Sequence, residues 1–95
     1  MEYLKEYNLS EEDIKDIISN IDFSDTIELD LHKDKVCDIL DYFKSKNIIN
    51  IKEILMYKTE IFYSSLEYLK RKIDTLDTDS LNKLKEDITL FDQIV

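Results

Sequence analysis

The sequence predicts an all-α fold, a small bundle or short array of five to six helices in one domain over residues 1–95. Apolar residues recur at every third or fourth position through most of the chain, which is the helical period. The chain contains no Gly and no Pro, the residues on which tight hairpin turns depend. Its hydrophobic content of 43% suits one modest core rather than a disordered chain.

The first 21 residues predict two helices. A short helix includes Leu4 and ends near Asn8, and a second begins after Ser10, a favoured N-cap residue. Acidic residues follow Ser10 directly, where they oppose the positive end of the helix dipole. The apolar stripe of the second helix is formed by Ile14, Ile17, Ile18 and Ile21.

Residues 27–31, Ile-Glu-Leu-Asp-Leu, alternate apolar and polar side chains as a short strand does. No second segment with a matching alternation is evident as a partner. We therefore expect a short extended segment at 27–31 that leads into the next helix, with a small sheet as the alternative.

The middle of the chain predicts a longer helix from about His32 to Lys46 and a shorter one after Asn50. Asn50 and Glu53 have the spacing of a capping box at the start of the shorter helix. Because Asn is the usual second choice to Gly in the left-handed backbone conformation, we expect Asn8 and Asn47 to end the helices that precede them. The apolar stripes of the two helices are Val36, Ile39, Leu40 and Phe43, then Ile51, Ile54 and Leu55.

The last third predicts a helical hairpin. Ser64 and Glu67 form a capping-box pattern, and the turn-favouring residues 77–80 separate this helix from the final one. Phe43, Phe62 and Phe91 fall on apolar stripes and are expected in the core. The final helix carries an a/d pattern that could pair with a second copy, so a homodimer through residues 81–95 is expected. The a/d residues are Leu81, Leu84, Ile88, Phe91 and Val95.

The unit from Leu31 to Leu76 has a longer helix, a tight connection, a short Ile-x-x-Ile-Leu helix, an aromatic, serines and a further helix. This rhythm resembles the helical repeat of the mitochondrial transcription termination factor (mTERF) family, whose stacked repeats bind nucleic acid. The sequence departs from that family at Asn47, where Gly is favoured, and at 57–59, where Pro is favoured. The resemblance implies a nucleic-acid surface formed by Lys44, Lys46, Lys52, Lys58, Lys70, Arg71 and Lys72.

The residues that usually carry catalysis or bind metal are sparse. His32 is the only histidine and Cys37 the only cysteine, and their spacing of five does not place them together on a helix. Zinc binding or a Cys–His nucleophile would need further partners, and the Asp-rich residues 74–79 lack the Gly and Glu of a calcium loop. We therefore predict no enzyme activity, no cofactor and no metal, with His32 exposed and Cys37 buried.

The charge is unevenly distributed along the chain. Residues 1–31 hold ten acids and two bases (−8), residues 32–73 nine bases and six acids (+3), and residues 74–95 six acids and two bases (−4). Three interpretations remain open: mutual neutralisation across the surface, an acidic face for a basic partner, or a basic face for nucleic acid. The predicted acidic face consists of Glu2, Glu6, Glu11, Glu12, Asp13 and Asp16.

The favoured function is a non-catalytic protein–protein interaction module that binds a basic protein. Six tyrosines exceed what core packing needs, about half should be exposed, and Tyr57 and Tyr68 are candidate anchors. The excess of Lys over Arg suggests AT-rich coding, hence a low-GC bacterium or a phage, and a small acidic inhibitor of a nucleic-acid-handling host protein. Without an apolar start or a long apolar run, we expect a cytoplasmic protein with no membrane contact.

Overall fold

The structure, a computed structural model, describes the backbone of residues 1–94 and the side chains of residues 1–93. It is all-α, as predicted, with no strand in this part of the chain. Residues 1–94 form seven α-helices and three 3₁₀ helices, more than the five to six helices predicted. The α-helices are α1 (Glu11–Asn20), α2 (Phe23–Leu31), α3 (Lys33–Ser45), α4 (Ile51–Tyr57), α5 (Leu66–Ile73), α6 (Thr78–Glu86) and α7 (Phe91–Ile94). The 3₁₀ helices are Glu2–Tyr7, Thr59–Tyr63 and Ile88–Leu90.

The prediction of an extended segment at 27–31 is wrong, because these residues lie in α2. The alternation that suggested a strand covers only five residues. Extended back to Phe23, the same region has apolar residues at i, i+4 and i+8, namely Phe23, Ile27 and Leu31, which is helical spacing. Only Leu29 of this helix is buried. The inward face of α2 therefore has too few apolar residues to give the usual pattern of an amphipathic helix.

The predicted start of α1 and the two predicted asparagine turns are confirmed. Ser10 Oγ accepts from the Asp13 backbone N–H at 3.1 Å, and Asp13 Oδ2 accepts from the Ser10 backbone N–H at 3.0 Å, a complete capping box. Asn8 and Asn47 have φ values of 64° and 59°. In a chain without glycine, both asparagines supply the left-handed residue that ends a helix.

Two other predicted caps differ from the structure. The N-cap of α5 is Ser65, whose Oγ accepts from the Tyr68 backbone N–H, rather than Ser64. Asn50 is the N-cap residue of α4, but its side chain makes no capping hydrogen bond. The Asn50 Oδ1 atom is buried without a hydrogen-bond partner among the described residues. Spacing alone thus located both helix starts to within one residue but not the atoms that cap them.

The core is centred on α3. The ring centroid of Phe43 lies 6.0 Å from that of Phe62 and 5.9 Å from that of Phe91, so α3, the second 3₁₀ helix and α7 meet at one aromatic cluster. These three phenylalanines are buried, as predicted. Helix α1 packs on α4, and α3 packs on α2 and α5. The apolar stripes predicted for α3 and α4 are buried in this core.

The predicted break between the last two helices is present, since α5 ends at Ile73 and α6 begins at Thr78, but the predicted final helix is not continuous. Helix α6 ends at Glu86, where Asp87 Oδ1 accepts from the backbone N–H of Thr89 and starts a 3₁₀ turn. Leu84 and Phe91 are buried within the chain, so they are not available for the predicted contact with a second copy. Val95 lies outside the described residues. None of the described helices has the length and apolar character needed to cross a membrane.

Candidate interaction surface

The six acidic residues of the predicted acidic face lie on two adjoining elements. Glu2 and Glu6 are on the first 3₁₀ helix, which packs on α1. Glu11, Glu12, Asp13 and Asp16 are on α1, and five of the six side chains are exposed, Asp13 being half-buried. The first turn of α1 carries three of these acids because the exposed backbone N–H groups at a helix start favour negative charge. The structure therefore places these residues on two elements that pack on each other.

Lys52 of α4 neutralises part of this surface. Its Nζ lies 3.1 Å from Asp13 Oδ1 and 2.9 Å from Asp16 Oδ2. The pKa of Asp13 is lowered, first by the Ser10 backbone N–H that its carboxylate accepts and then by Lys52. The pKa of Lys52 is raised by the same two carboxylates. Lys52, a base from the mildly basic middle of the chain, thus forms salt bridges with two acids of the N-terminal part.

Lys5 neutralises a second part. Its Nζ lies 2.9 Å from Glu2 Oε2 and 3.0 Å from Glu11 Oε1. Within the described residues, Glu6 and Glu12 have no salt-bridge partner, so they keep the face negative. Mutual neutralisation and a residual acidic surface therefore coexist, because two lysines cannot balance six carboxylates.

Four of the six tyrosines hold elements of the fold together through their hydroxyl groups. Tyr3 donates to the backbone oxygen of Leu29 at 3.1 Å, which ties the first 3₁₀ helix to α2. The other three donate to carboxylates that lie far away in the sequence, which explains most of the tyrosine surplus without a binding partner. These bonds are Tyr7 to Asp41 (2.8 Å), Tyr42 to Asp74 (2.6 Å) and Tyr63 to Asp25 (2.5 Å).

Tyr57 and Tyr68, the two candidate anchors, are both exposed. Tyr57 is the last residue of α4, whereas Tyr68 lies in α5 with the Lys72 ammonium 5.6 Å from its ring centroid. Together with Tyr63 they make half of the tyrosines exposed, as expected. Neither residue lies on the 3₁₀ helix or on α1 that carry the acidic face.

The basic residues of the alternative nucleic-acid surface divide into two groups. Lys46 lies 2.9 Å from Asp74, Lys52 contacts the two aspartates of α1, and Lys58 lies 2.7 Å from Asp92. The other members are exposed and have no salt bridge within the described residues; they are Lys44, Lys70, Arg71 and Lys72. Salt bridges within the chain thus engage three of the seven cations that the sequence proposed.

His32 and Cys37 have different surroundings in the structure. His32 is exposed, with Nε2 3.5 Å from Glu28 Oε2. Cys37 is half-buried rather than fully buried, and burial followed by nearby carboxylates raises the pKa of its thiol, which opposes thiolate chemistry. No group of three or more potential metal ligands comes together in the part of the chain that the structure describes.

The structure also exposes an apolar surface that the sequence reading missed. Phe23, Ile27 and Leu31 point outward from α2, although the sequence interpretation treated two of them as part of an extended segment. Their i, i+4, i+8 spacing is the signal that would have found them, because it places all three on one face of a helix. We call these three residues the α2 stripe.

Comparison of the chain with protein-family models, with curated proteins and with solved structures finds no match.

Proposed function

We propose that this chain is a non-catalytic helical protein–protein interaction module whose acidic surface binds a basic partner protein. The observation that carries the proposal is the incomplete neutralisation of the N-terminal surface. Lys5 and Lys52 pair with four carboxylates of the acidic face, and Glu6 and Glu12 stay exposed and unpaired among the described residues. The net charge of −9 adds a long-range field of the same sign.

The mechanism is docking of a rigid helical surface. Four tyrosine hydroxyls and the aromatic cluster fix the elements relative to one another, so little order has to be gained on binding. Negative charge steers a cationic partner toward the surface and raises the association rate. Exposed Tyr57 and Tyr68 supply amphipathic rings that can anchor a second point of contact.

We infer as the specific form of this function a small acidic inhibitor or regulator, from a phage or another mobile element of a low-GC bacterium. It would act in the cytoplasm by occupying the nucleic-acid groove of a host protein. A surface rich in carboxylates presents the same sign of charge as a phosphate backbone, which supports this choice of target.

The experiment is capture of the partner from the native host, followed by association kinetics at low and high salt. Glu6→Lys with Glu12→Lys raises the net charge from −9 to −5 on the acidic face. The matched control, Glu60→Lys with Glu86→Lys, makes the same change in charge on exposed residues elsewhere. We expect the first pair to slow association by about tenfold and the control to have a smaller effect. An on-rate that is unchanged between low and high salt would contradict electrostatic steering.

The second candidate function is an mTERF-like nucleic-acid binder. The observation that favours it is the exposed run Lys70, Arg71 and Lys72 at the end of α5, beside Tyr68, a combination suited to phosphate contact and base stacking. A gel shift at low salt with single- and double-stranded DNA and RNA tests it. Binding that disappears in a Lys70→Gln, Arg71→Gln, Lys72→Gln variant would favour this function over the acidic module.

A further inference from the structure

Helix α2 turns its apolar residues toward solvent. Phe23 is 80% exposed, Leu31 69% and Ile27 45%, whereas Leu29 alone is buried. Residues at i, i+4 and i+8 fall within an arc of about 80° and extend over about 12 Å along a helix. Single exposed apolar residues are ordinary on a protein surface, but three in line form a continuous patch, and such patches mark binding sites.

Helix α2 itself carries only negative charges. Every ionisable residue of α2 is acidic, and so is its N-cap residue Asp22. Asp25 accepts the hydroxyl of Tyr63, Glu28 lies 3.5 Å from the imidazole of His32, and Asp30 is 3.1 Å from the amino group of Met1. Asp22 has no salt bridge within residues 1–93, so the N-terminal end of the stripe is the more negative one.

The α2 stripe is also held firmly from beneath. Leu29 inserts into the core, and its backbone oxygen accepts from the hydroxyl of Tyr3 at 3.1 Å. On the other side, the Tyr63 hydroxyl donates to Asp25. These long-range hydrogen bonds hold α2 in place with its apolar face toward solvent, so the exposed face is preorganised.

We propose that the α2 stripe is the docking site for a cationic amphipathic helix of the partner protein. The apolar face of that helix would cover Phe23, Ile27 and Leu31, and its flanking Lys and Arg side chains would pair with the carboxylates beside them. This proposal rests on the interaction function proposed above and names the surface and the partner chemistry. The occupant is cationic because every ionisable residue of α2 is acidic, and Asp22, Glu28 and Asp30 are exposed.

A second copy of this chain is the less favoured occupant. Self-pairing of α2 would bring its carboxylates against an identical acidic set, where like charges repel. Lys35 of α3 lies beside Glu28 of α2, but it is engaged within the chain, because its Nζ donates to the backbone oxygen of Tyr63 at 3.0 Å.

The test uses the full chain and two synthetic helical peptides of about 18 residues, long enough for five turns. The first has Leu at the i, i+3, i+4, i+7 positions and Lys elsewhere, and the second replaces each Lys by Glu. Binding is measured by fluorescence anisotropy at physiological salt, where attraction by net charge alone is screened. We expect the Lys peptide to bind and the Glu peptide not to bind.

Variants of the protein separate the α2 stripe from general acidity. Phe23→Ser with Leu31→Ser should weaken binding of the Lys peptide by at least about tenfold, since each substitution removes apolar area that the complex buries. Ile49→Ser is the matched control, because Ile49 is 84% exposed outside the stripe, and it should change the affinity by less than about twofold. All three positions are exposed, so far-ultraviolet circular dichroism should confirm that each variant stays folded.

Three results would overturn the proposal: no binding of the Lys peptide, equal loss in the stripe variant and the Ile49→Ser control, or a dimer in sedimentation that Phe23→Ser dissolves. The same stripe variant is then tested against the captured partner. If that partner is released by Glu6→Lys with Glu12→Lys but not by the stripe variant, the acidic interaction function stands and the assignment to α2 falls. If neither variant releases it, the proposed function falls as well.

Discussion

Lys52 places its ammonium nitrogen 3.1 Å from Oδ1 of Asp13, 39 positions away in the sequence, and so joins α4 to the first turn of α1. The same carboxylate, through Oδ2, accepts the backbone N–H of Ser10. Asp13 therefore serves at once as a partner in the cap of α1 and as the point where the basic middle of the chain contacts its acidic N-terminal part.

Substitution Lys52→Gln should raise the pKa of Asp13 toward its ordinary value of 3.8 without reaching it, because the Ser10 backbone N–H still favours the ionised carboxylate. The measurement is an NMR titration of the Asp13 side-chain carbonyl carbon. Lys15→Gln is the control, since Lys15 is an exposed lysine of α1 with no salt bridge in the described residues. An Asp13 titration that is identical in Lys52→Gln and the wild type would contradict the observed ion pair.

Core substitutions should separate buried from exposed apolar positions. Ile39→Ala and Leu69→Ala should each lower the free energy of unfolding by about 2–5 kcal/mol, because both side chains are fully buried and their removal leaves a cavity. Urea denaturation measures the effect. Ile49→Ala, at an exposed position, should change stability by less than about 0.5 kcal/mol. Similar losses at Ile39 and Ile49 would show that the buried face of α3 has been misassigned.

The left-handed turn at Asn47 should respond to glycine and alanine in opposite ways. Asn47→Gly should be neutral or stabilising, since Gly adopts a φ of 59° without steric cost. Asn47→Ala should lower the free energy of unfolding by about 1 kcal/mol, because Ala lacks the short polar side chain that lets Asn tolerate the left-handed conformation. Thermal melts of both variants provide the test, and equal melting temperatures would be inconsistent with the turn.

Alkaline pH should destabilise the fold through the bonded tyrosines. Burial, reinforced for three of them by a carboxylate hydrogen bond, raises the phenol pKa of Tyr3, Tyr7, Tyr42 and Tyr63 above the ordinary value of 10. A pKa that is higher in the folded state contributes stability that is complete below pH 10 and is lost as the pH rises above it. Denaturant midpoints measured from pH 8 upward should fall above pH 10, and less steeply in Tyr42→Phe. A midpoint that is independent of pH across this range would refute the linkage.

The sequence predicted the elements whose apolar residues face inward. Val36, Ile39 and Phe43 mark α3 because its buried stripe has the helical period, and the same holds for α4. It failed on α2, where the apolar residues face outward and only Leu29 contacts the core. Apolar periodicity predicts a helix whose apolar face is buried, so it does not place a helix whose apolar face is exposed, even when the spacing is helical.

Local atoms and distant partners were harder to predict. Whether Ser64 or Ser65 caps α5 depends on one residue of backbone geometry, which spacing does not resolve. The hydrogen bonds of the tyrosine hydroxyls join residues 26 to 38 positions apart, so no local sequence pattern predicts them. The acidic surface was predicted from the uneven distribution of charge along the chain, but its partial neutralisation by Lys52 depends on the packing of α1 on α4.

The outward-facing α2 stripe has a consequence for solubility. At neutral pH the net charge of −9 makes the molecules repel one another, even though each one exposes the apolar α2 stripe. Acidification protonates the carboxylates and removes this repulsion, whereas the α2 stripe stays exposed. The purified protein should therefore precipitate as the pH approaches its isoelectric point. The excess of acidic residues thus opposes self-association through the exposed apolar residues of α2.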